Sequence, residues 1–348
     1  MSIRFTSEWQ RCRVVFGPGV TTTLGTELDG LGVGRALIVR SPGRSRFADE
    51  IAGTLHHRLA GVCALAAPHV PMNCVMAALA EVDRAKPDGI VAIGGGSAIG
   101  LAKAIALNRS LPVIAVPTTY AGSEMTSVYG ISEGGQKRTG RDARVAPRLV
   151  IYDPDLTMSL PAGVSAASGM NAIAHAVEAV YAANVSPIAT AAAADAIGSL
   201  SRALPRIVTN PADPEARAIA LRGAHLAGIA LELAAMALHH KICHVLGGTF
   251  GLPHAETHAV LLPHVVSFNA PAAPDAMARI AAALDASDPA QGLRELNSRL
   301  PLPKSLSELG FKASDIDRAA ELVTAATYPN PRPASAADVR AILAAALA

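Results

Sequence analysis

The chain has 348 residues, 51% of them hydrophobic but only 3% aromatic, and carries a formal net charge of +2. That length exceeds what one hydrophobic core usually supports and points to two domains, while an alanine-rich, aromatic-poor interior favours close helix packing over a β-sandwich. A near-neutral chain without a long basic run argues against nucleic-acid or membrane-surface partners, and so for a small ligand. Its four cysteines, Cys12, Cys63, Cys74 and Cys243, form no CxxC pair, and the amino terminus lacks the charged-then-apolar pattern of a secretory signal, which together predict a cytoplasmic location. The most apolar stretch, Leu226 to Leu238, is interrupted by Glu232 and falls well short of the roughly 20 apolar residues of a membrane span.

From residue 13 to about 155, short apolar runs alternate with helical segments. The predicted strands are Arg13 to Phe16, Ala36 to Val39, Val62 to Ala66, Gly89 to Ile93, Pro112 to Val116 and Leu149 to Tyr152. Runs that are apolar throughout suit strands covered on both faces, so βαβ units around a mainly parallel sheet are expected. After Asp153-Pro154-Asp155 the strand pattern disappears. Long alanine-rich helical segments follow, broken near Asn184 to Pro187, Thr209 to Pro214, Pro271 to Pro274 and Pro301 to Pro303. The expected organisation is an α/β dinucleotide-binding domain over 1–155 and an all-helical catalytic domain over 156–348.

The strand ending at Ile93 runs directly into Gly94-Gly95-Gly96-Ser97 and a helical segment. Glycines let a backbone approach a diphosphate closely, and the following helix start directs N–H groups and partial positive charge at it. A glycine turn that serves packing alone is the competing reading. The spacing is not GxGxxG, and Arg40-Ser41-Pro42-Gly43 after the strand at Ala36 lacks the acid that would hold an adenosine ribose 2′-OH. Arg40 or Ser41 can then accept a 2′-phosphate, which predicts use of both NADH and NADPH; the competing reading is that Arg40 only points to solvent. The loop from Pro117 adds hydroxyls at Thr118, Thr119, Tyr120 and Ser127, suited either to phosphate and ribose oxygens or to local turns.

Two side chains four positions apart share a helix face, as do Asn171 with His175 and His240 with His244. One helix from about Leu226 through His244, ended by Gly247-Gly248, is expected to present the second pair, and His254 follows ten residues on. His225, His239, His258 and His264 are assigned to structure, His264 at a helix start. A metal site built from such pairs normally has a carboxylate where Asn171 stands, because a neutral amide binds a cation weakly.

These residues carry a resemblance covering nearly the whole chain. Phe16-Gly17-Pro18-Gly19, the triple glycine, Pro117 to Glu124, Ser168 to Glu178, the histidine stretch from His240 to His264, and Tyr328 to Pro333 resemble the iron-containing (group III) alcohol dehydrogenases. Within that family they look like the branch that reduces maleylacetate. The resemblance implies an architecture shared with dehydroquinate synthase, a nicotinamide cofactor on the glycine turn, a homodimer and a place in aromatic catabolism. In metal-dependent members an aspartate and three histidines hold Fe²⁺ or Zn²⁺, and the matching positions are Asn171, His175, His240 and His254. His244 matches a histidine near the nicotinamide. The missing aspartate leads us to expect no obligatory metal, with His254 and His244 as leading proton donors, His175 and His240 supporting them, and Tyr120 a further donor. Asn171, Lys241 and Arg332 are the candidates for binding a small dicarboxylate substrate. A metal-dependent alcohol or polyol dehydrogenase, a dehydroquinate-synthase-like lyase and a non-catalytic dinucleotide-binding protein are the competing readings.

Overall fold

The computed structural model describes residues 12–43, 46–134 and 136–348. They form two compact units divided between Leu160 and Pro161.

The first unit carries strands β1 (Arg13–Phe16), β2 (Ala36–Val39), β3 (Leu59–Cys63), β4 (Gly89–Gly94), β5 (Val113–Pro117), β6 (Val128–Glu133), β7 (Gln136–Arg141) and β8 (Leu149–Tyr152). Helices α1 (Leu24–Gly30), α2 (Arg46–Leu55), α3 (Met72–Ala85) and α4 (Gly96–Arg109) lie between them in the chain. Six strands form one sheet in the order β1-β8-β5-β4-β2-β3, and every pairing is parallel. The central strands β2, β5 and β8 are buried along their whole length, as a parallel sheet covered on both faces requires.

Two features depart from the sequence expectation. β3 runs from Leu59 to Cys63 rather than from Val62 to Ala66, because the partner strand β2 pairs Ala36 with Leu59 and ends at Val39, opposite Cys63. The antiparallel hairpin β6–β7 was not expected. β6 mixes apolar Val128, Tyr129 and Ile131 with Gly130, Ser132 and Glu133, and β7 is polar, so no apolar run marked the hairpin.

Buried polar groups tie the loop after β5 to this sheet. Lys103 of α4 donates to the Ser123 carbonyl at 2.6 Å, the Thr126 hydroxyl at 3.0 Å and the Val128 carbonyl at 2.9 Å. Glu124, fully buried, accepts from the Tyr152 hydroxyl at 2.8 Å. Burial pushes the Glu124 carboxyl up to about 7, against the opposing pull of its hydrogen bonds and of Lys103. A raised folded-state pKa means that the stability associated with the protonated acid is complete below its ordinary value near 4.5 and is lost as pH rises towards 7. Glu124→Gln removes that titration while keeping an acceptor for Tyr152. Its stability relative to the parent should therefore improve between pH 5 and 8 by up to about 3 kcal/mol. Melting temperatures of both proteins across that range check this, and a pH-independent difference would contradict it.

The second unit is helical: α5 (Ala162–Val180), α6 (Pro187–Thr209), α7 (Pro214–Leu233), α8 (Leu238–Phe250), α9 (His254–Asn269), α10 (Pro274–Leu284), α11 (Pro289–Ser298), α12 (Ile316–Thr324) and α13 (Ala336–Leu347). Three of the four breaks expected from sequence precede helix starts, at Pro187, Pro214 and Pro274, whereas Pro301 to Pro303 follows α11 and opens a loop, and the start at Pro289 was not expected. Ser186, Asp213 and Asp288 each accept a backbone N–H of the helix they precede, with proline at its first position. Alanine and glycine permit close crossings: a Cβ on Gly169 of α5 would meet Leu204 of α6 at 2.6 Å.

The single helix expected from Leu226 through His244 is two helices. α7 stops at Leu233, the chain bends by 101°, and α8 starts at Leu238. Helix propensity in Leu233-Ala234-Ala235-Met236-Ala237 is overridden by tertiary partners. Asn184 accepts from the Ala235 N–H at 2.7 Å, and Glu178 takes the N–H groups of Ala237 and His239 at 2.8 Å each. Nor does α8 end at Gly247-Gly248. It continues to Phe250 and closes at Gly251, whose φ of 73° lies in the left-handed region that glycine adopts readily. His264 likewise lies inside α9, not at a helix start. No single described helix is long and apolar enough to cross a membrane.

Candidate active site

Three helices of the second unit bring six imidazoles together. α5 supplies Asn171 and His175, α8 supplies His239, His240 and His244, and α9 supplies His254 and His258. The His175 and His240 rings stack with centroids 4.9 Å apart, His244 and His254 lie 6.1 Å apart and nearly parallel, and His240 and His244 are 6.0 Å apart. The three histidines from the metal-ligand positions and His244 thus belong to one cluster. Burial grades across it: His175 and His240 are nearly sealed, whereas His244 and His254 are half-buried.

Glu178 organises this cluster. Its Oε1 accepts the His239 N–H and its Oε2 accepts both the Ala237 N–H and, at 2.7 Å, His240 Nδ1. One carboxylate therefore caps the start of α8 and sets the orientation of an imidazole on that helix. Glu178 is fully buried, and desolvation raises its pKa in spite of those donors.

His258, which sequence reasoning assigned to structure, is the hub. Its centroid lies 4.5 Å from His254, 4.7 Å from His240, 4.8 Å from His239 and 6.2 Å from His175. His239 Nε2 and His258 Nδ1 share a 2.8 Å hydrogen bond, with Cys243 Sγ 3.7 Å from the same His239 nitrogen. Desolvation lowers the pKa of both, His239 to about 3 and His258 well below the usual value, so both rings are neutral near pH 7. A sequence signal existed for this group. His239 with Cys243 and His254 with His258 repeat the four-residue spacing of His240 with His244. His225 stays outside the cluster, and burial lowers its pKa to about 4.

The candidate substrate-binding residues divide. Asn171 is buried on α5 and Lys241 is half-buried on α8, both on cluster helices. Arg332 is engaged elsewhere: its guanidinium stacks on Phe268 at 3.9 Å and contacts the Phe268 carbonyl and Asp338, each at 3.4 Å. A cation held by those partners is a brace for the segment before α13.

In the sheet unit, the glycine turn joins β4 to α4. Gly94 has a φ of 144°, and a Cβ there would lie 3.0 Å from Ala98. At Gly95 a Cβ would meet Thr119 at 2.8 and 2.9 Å, whereas at Gly96 it would meet nothing within 4 Å. The backbone is thus packed beneath and open where α4 begins, the form a diphosphate cradle takes. Gly95→Ala should raise the KM for the dinucleotide by at least about tenfold, since a displacement of about 1 Å in a positioning element costs that much or more. Steady-state titration of the cofactor tests this, and an unchanged KM would contradict it. Ser97 opens α4, Thr118 and Thr119 are half-buried, and Ser127 and Tyr120 are buried, Tyr120 completely. Ser41 is exposed, but Arg40 turns back on its own loop, donating to the Ser41 carbonyl at 3.1 Å and to the Gly43 carbonyl, with Asp49 at 3.6 Å.

The profile of the iron-containing alcohol dehydrogenases matches residues 12–154, and that of the Fe-containing alcohol dehydrogenase family's C-terminal region matches 165–347. The chain belongs to this family. It is 50% identical to the maleylacetate reductase of Pseudomonas sp. strain P51 over 92% of its length and 91% of that protein. With the maleylacetate reductase of Burkholderia cepacia it shares 48% identity over 95% of this chain and 94% of the relative. The crystal structure of maleylacetate reductase from Rhizobium sp. strain MTP-10005 superposes with a TM-score of 0.94 at 43% identity, covering 99% and 98% of the two chains.

Membership raises the question of metal. Asn171, His175, His240 and His254 offer three imidazoles and a carboxamide, with no anion to balance a divalent cation. Glu178, a carboxylate hydrogen-bonded into the cluster, is engaged by two backbone N–H groups and His240. Among the described residues, the donors that gather within 4.8 Å of one another are those of His239, Cys243 and His258, not those of the family's ligand positions. These residues do not fit an ion held in the manner of the metal-dependent members.

Proposed function

We propose that this chain is a cytoplasmic, homodimeric reductase that uses NADH or NADPH to reduce the carbon–carbon double bond of 2-maleylacetate, giving 3-oxoadipate, without an obligatory metal. The observation that carries the reading is a cluster of imidazoles built on family positions from which the anionic ligand is gone. Relatives named for maleylacetate reduction at about half identity over nearly the whole chain support it.

The double bond of maleylacetate is conjugated to a ketone, so the carbon β to that ketone is electrophilic without a Lewis acid. The nicotinamide, when bound, supplies a hydride to that carbon, and the π pair moves to form an enolate. The protein then has two tasks: to stabilise the enolate oxygen, and to deliver a proton to the adjacent carbon. His254 and His244, the half-buried members of the cluster, perform them. His175 and His240 hold the floor of the site, and Glu178 fixes His240. Asn171 and Lys241 receive the carboxylates of the substrate. Gly94, Gly95, Gly96 and Ser97 hold the dinucleotide diphosphate, with Thr118 and Thr119 beside them.

Oxidation of NADH by maleylacetate tests substrate, cofactor and reaction together, with one NADH consumed per double bond. The absence of turnover, beside Zn²⁺- or Fe²⁺-dependent oxidation of simple alcohols, would replace this reading with a metal-dependent alcohol dehydrogenase. For the dimer, β1 is a terminal strand of its sheet and so offers an edge to a second copy. Light scattering should give twice the 35.6 kDa chain mass.

A further inference from the structure

His258 is fully buried, and its two ring nitrogens face opposite sides. Nδ1 is held by His239, which in turn contacts Cys243 one turn along α8. Nε2 is sealed from solvent and has no hydrogen-bond partner. A buried nitrogen left without a partner is destabilising, so its persistence calls for an explanation such as a functional state that satisfies it. The other rings around His258 are His254, His240 and His175, and His254 is the closest, edge-on at 82°. His254 and His258 are also one helical turn apart on α9, and a helical side chain leans back over the preceding turn, which carries His258 under His254. His254 is half-buried, so substrate exchange happens there and His258 stays beneath it.

We propose that His258 is a positioning residue: anchored at Nδ1 by His239, it uses Nε2 to fix the ring of His254 in the orientation that serves the substrate. The hydrogen bond from His258 Nε2 forms as His254 turns onto the bound dicarboxylate. The His239–His258 pair is then the rigid support without which a half-buried imidazole samples several rotamers. The inference rests on the reductase reading above, since it gives His254 a partner rather than a new reaction.

A double-mutant cycle tests it, with maleylacetate as substrate and NADH as cofactor. His258→Phe should lower kcat roughly 10²-fold, leaving the NADH Kd and the KM for maleylacetate within about twofold. His258→Gln, whose amide nitrogen can occupy the place of Nε2, should recover activity to within about tenfold of the parent. In a His254→Ala background, His258→Phe should cost nothing further, because residues acting as a unit are not additive. Full additivity in that background, or an unchanged kcat in His258→Phe, would overturn the proposal and leave the reductase reading standing. If His258→Phe does not fold, His258→Gln carries the same cycle, and additivity there has the same meaning. A parent protein that does not turn over maleylacetate overturns both.

Discussion

Replacing Glu178 by alanine should lower the melting temperature of the protein by on the order of 10 °C and reduce turnover roughly 10²-fold. The carboxylate is the common acceptor for the Ala237 and His239 N–H groups and for His240 Nδ1, all of them buried. Removing it strands three donors and leaves a void, a loss of about 3–5 kcal/mol for a buried charged group of this kind. The same deletion frees the start of α8, so His240 loses its orientation and the break at 234–237 loses its tether. Glu178→Gln should fall between the parent and the alanine variant. Its single acceptor oxygen cannot serve both ends of the helix start, and its amide N–H₂ faces a donor. Differential scanning calorimetry and steady-state kinetics on the two variants check this, and a melting temperature within a degree of the parent for Glu178→Ala would contradict it.

His254→Ala should reduce kcat by about 10²- to 10⁴-fold, the range for losing a positioned proton donor, while leaving the NADH Kd unchanged. The prediction follows from placement. His254 is the first residue of α9, half-buried, within 4.5 Å of the His258 ring and 6.1 Å of His244, whereas the glycine turn belongs to the other unit. Fluorescence titration of NADH beside turnover with maleylacetate separates the two effects. An unchanged kcat would remove His254 from the chemistry and pass its role to His244.

The inner strands were legible because burial on both faces leaves a simple mark: β2 and β8 occupy the runs read from the sequence, and β4 extends its run by one residue, while β1 occupies its run although it is partly exposed. The helix break at 234–237 was not legible, because the groups that replace its backbone hydrogen bonds, Asn184 and Glu178, are 51 and 59 residues earlier in the chain. The same distance hid the role of Glu178, although it stands in the motif that carries Asn171 and His175. His258 and His239 were passed over for another reason. A histidine on an apolar helix is usually a packed core residue, and only the meeting of α5, α8 and α9 brings these two into the imidazole cluster. Arg332 stacks on Phe268 and contacts Asp338, partners that its own motif did not announce.

The most direct measurement is turnover of maleylacetate with NADH by protein dialysed against a strong chelator, with iron and zinc quantified on the same sample. A cluster of imidazoles without an anionic ligand predicts undiminished turnover at well under one metal ion per chain. Activity that disappears with the metal and returns on adding Fe²⁺ or Zn²⁺ would contradict it, and would mean that Asn171, His175, His240 and His254 hold an ion after all.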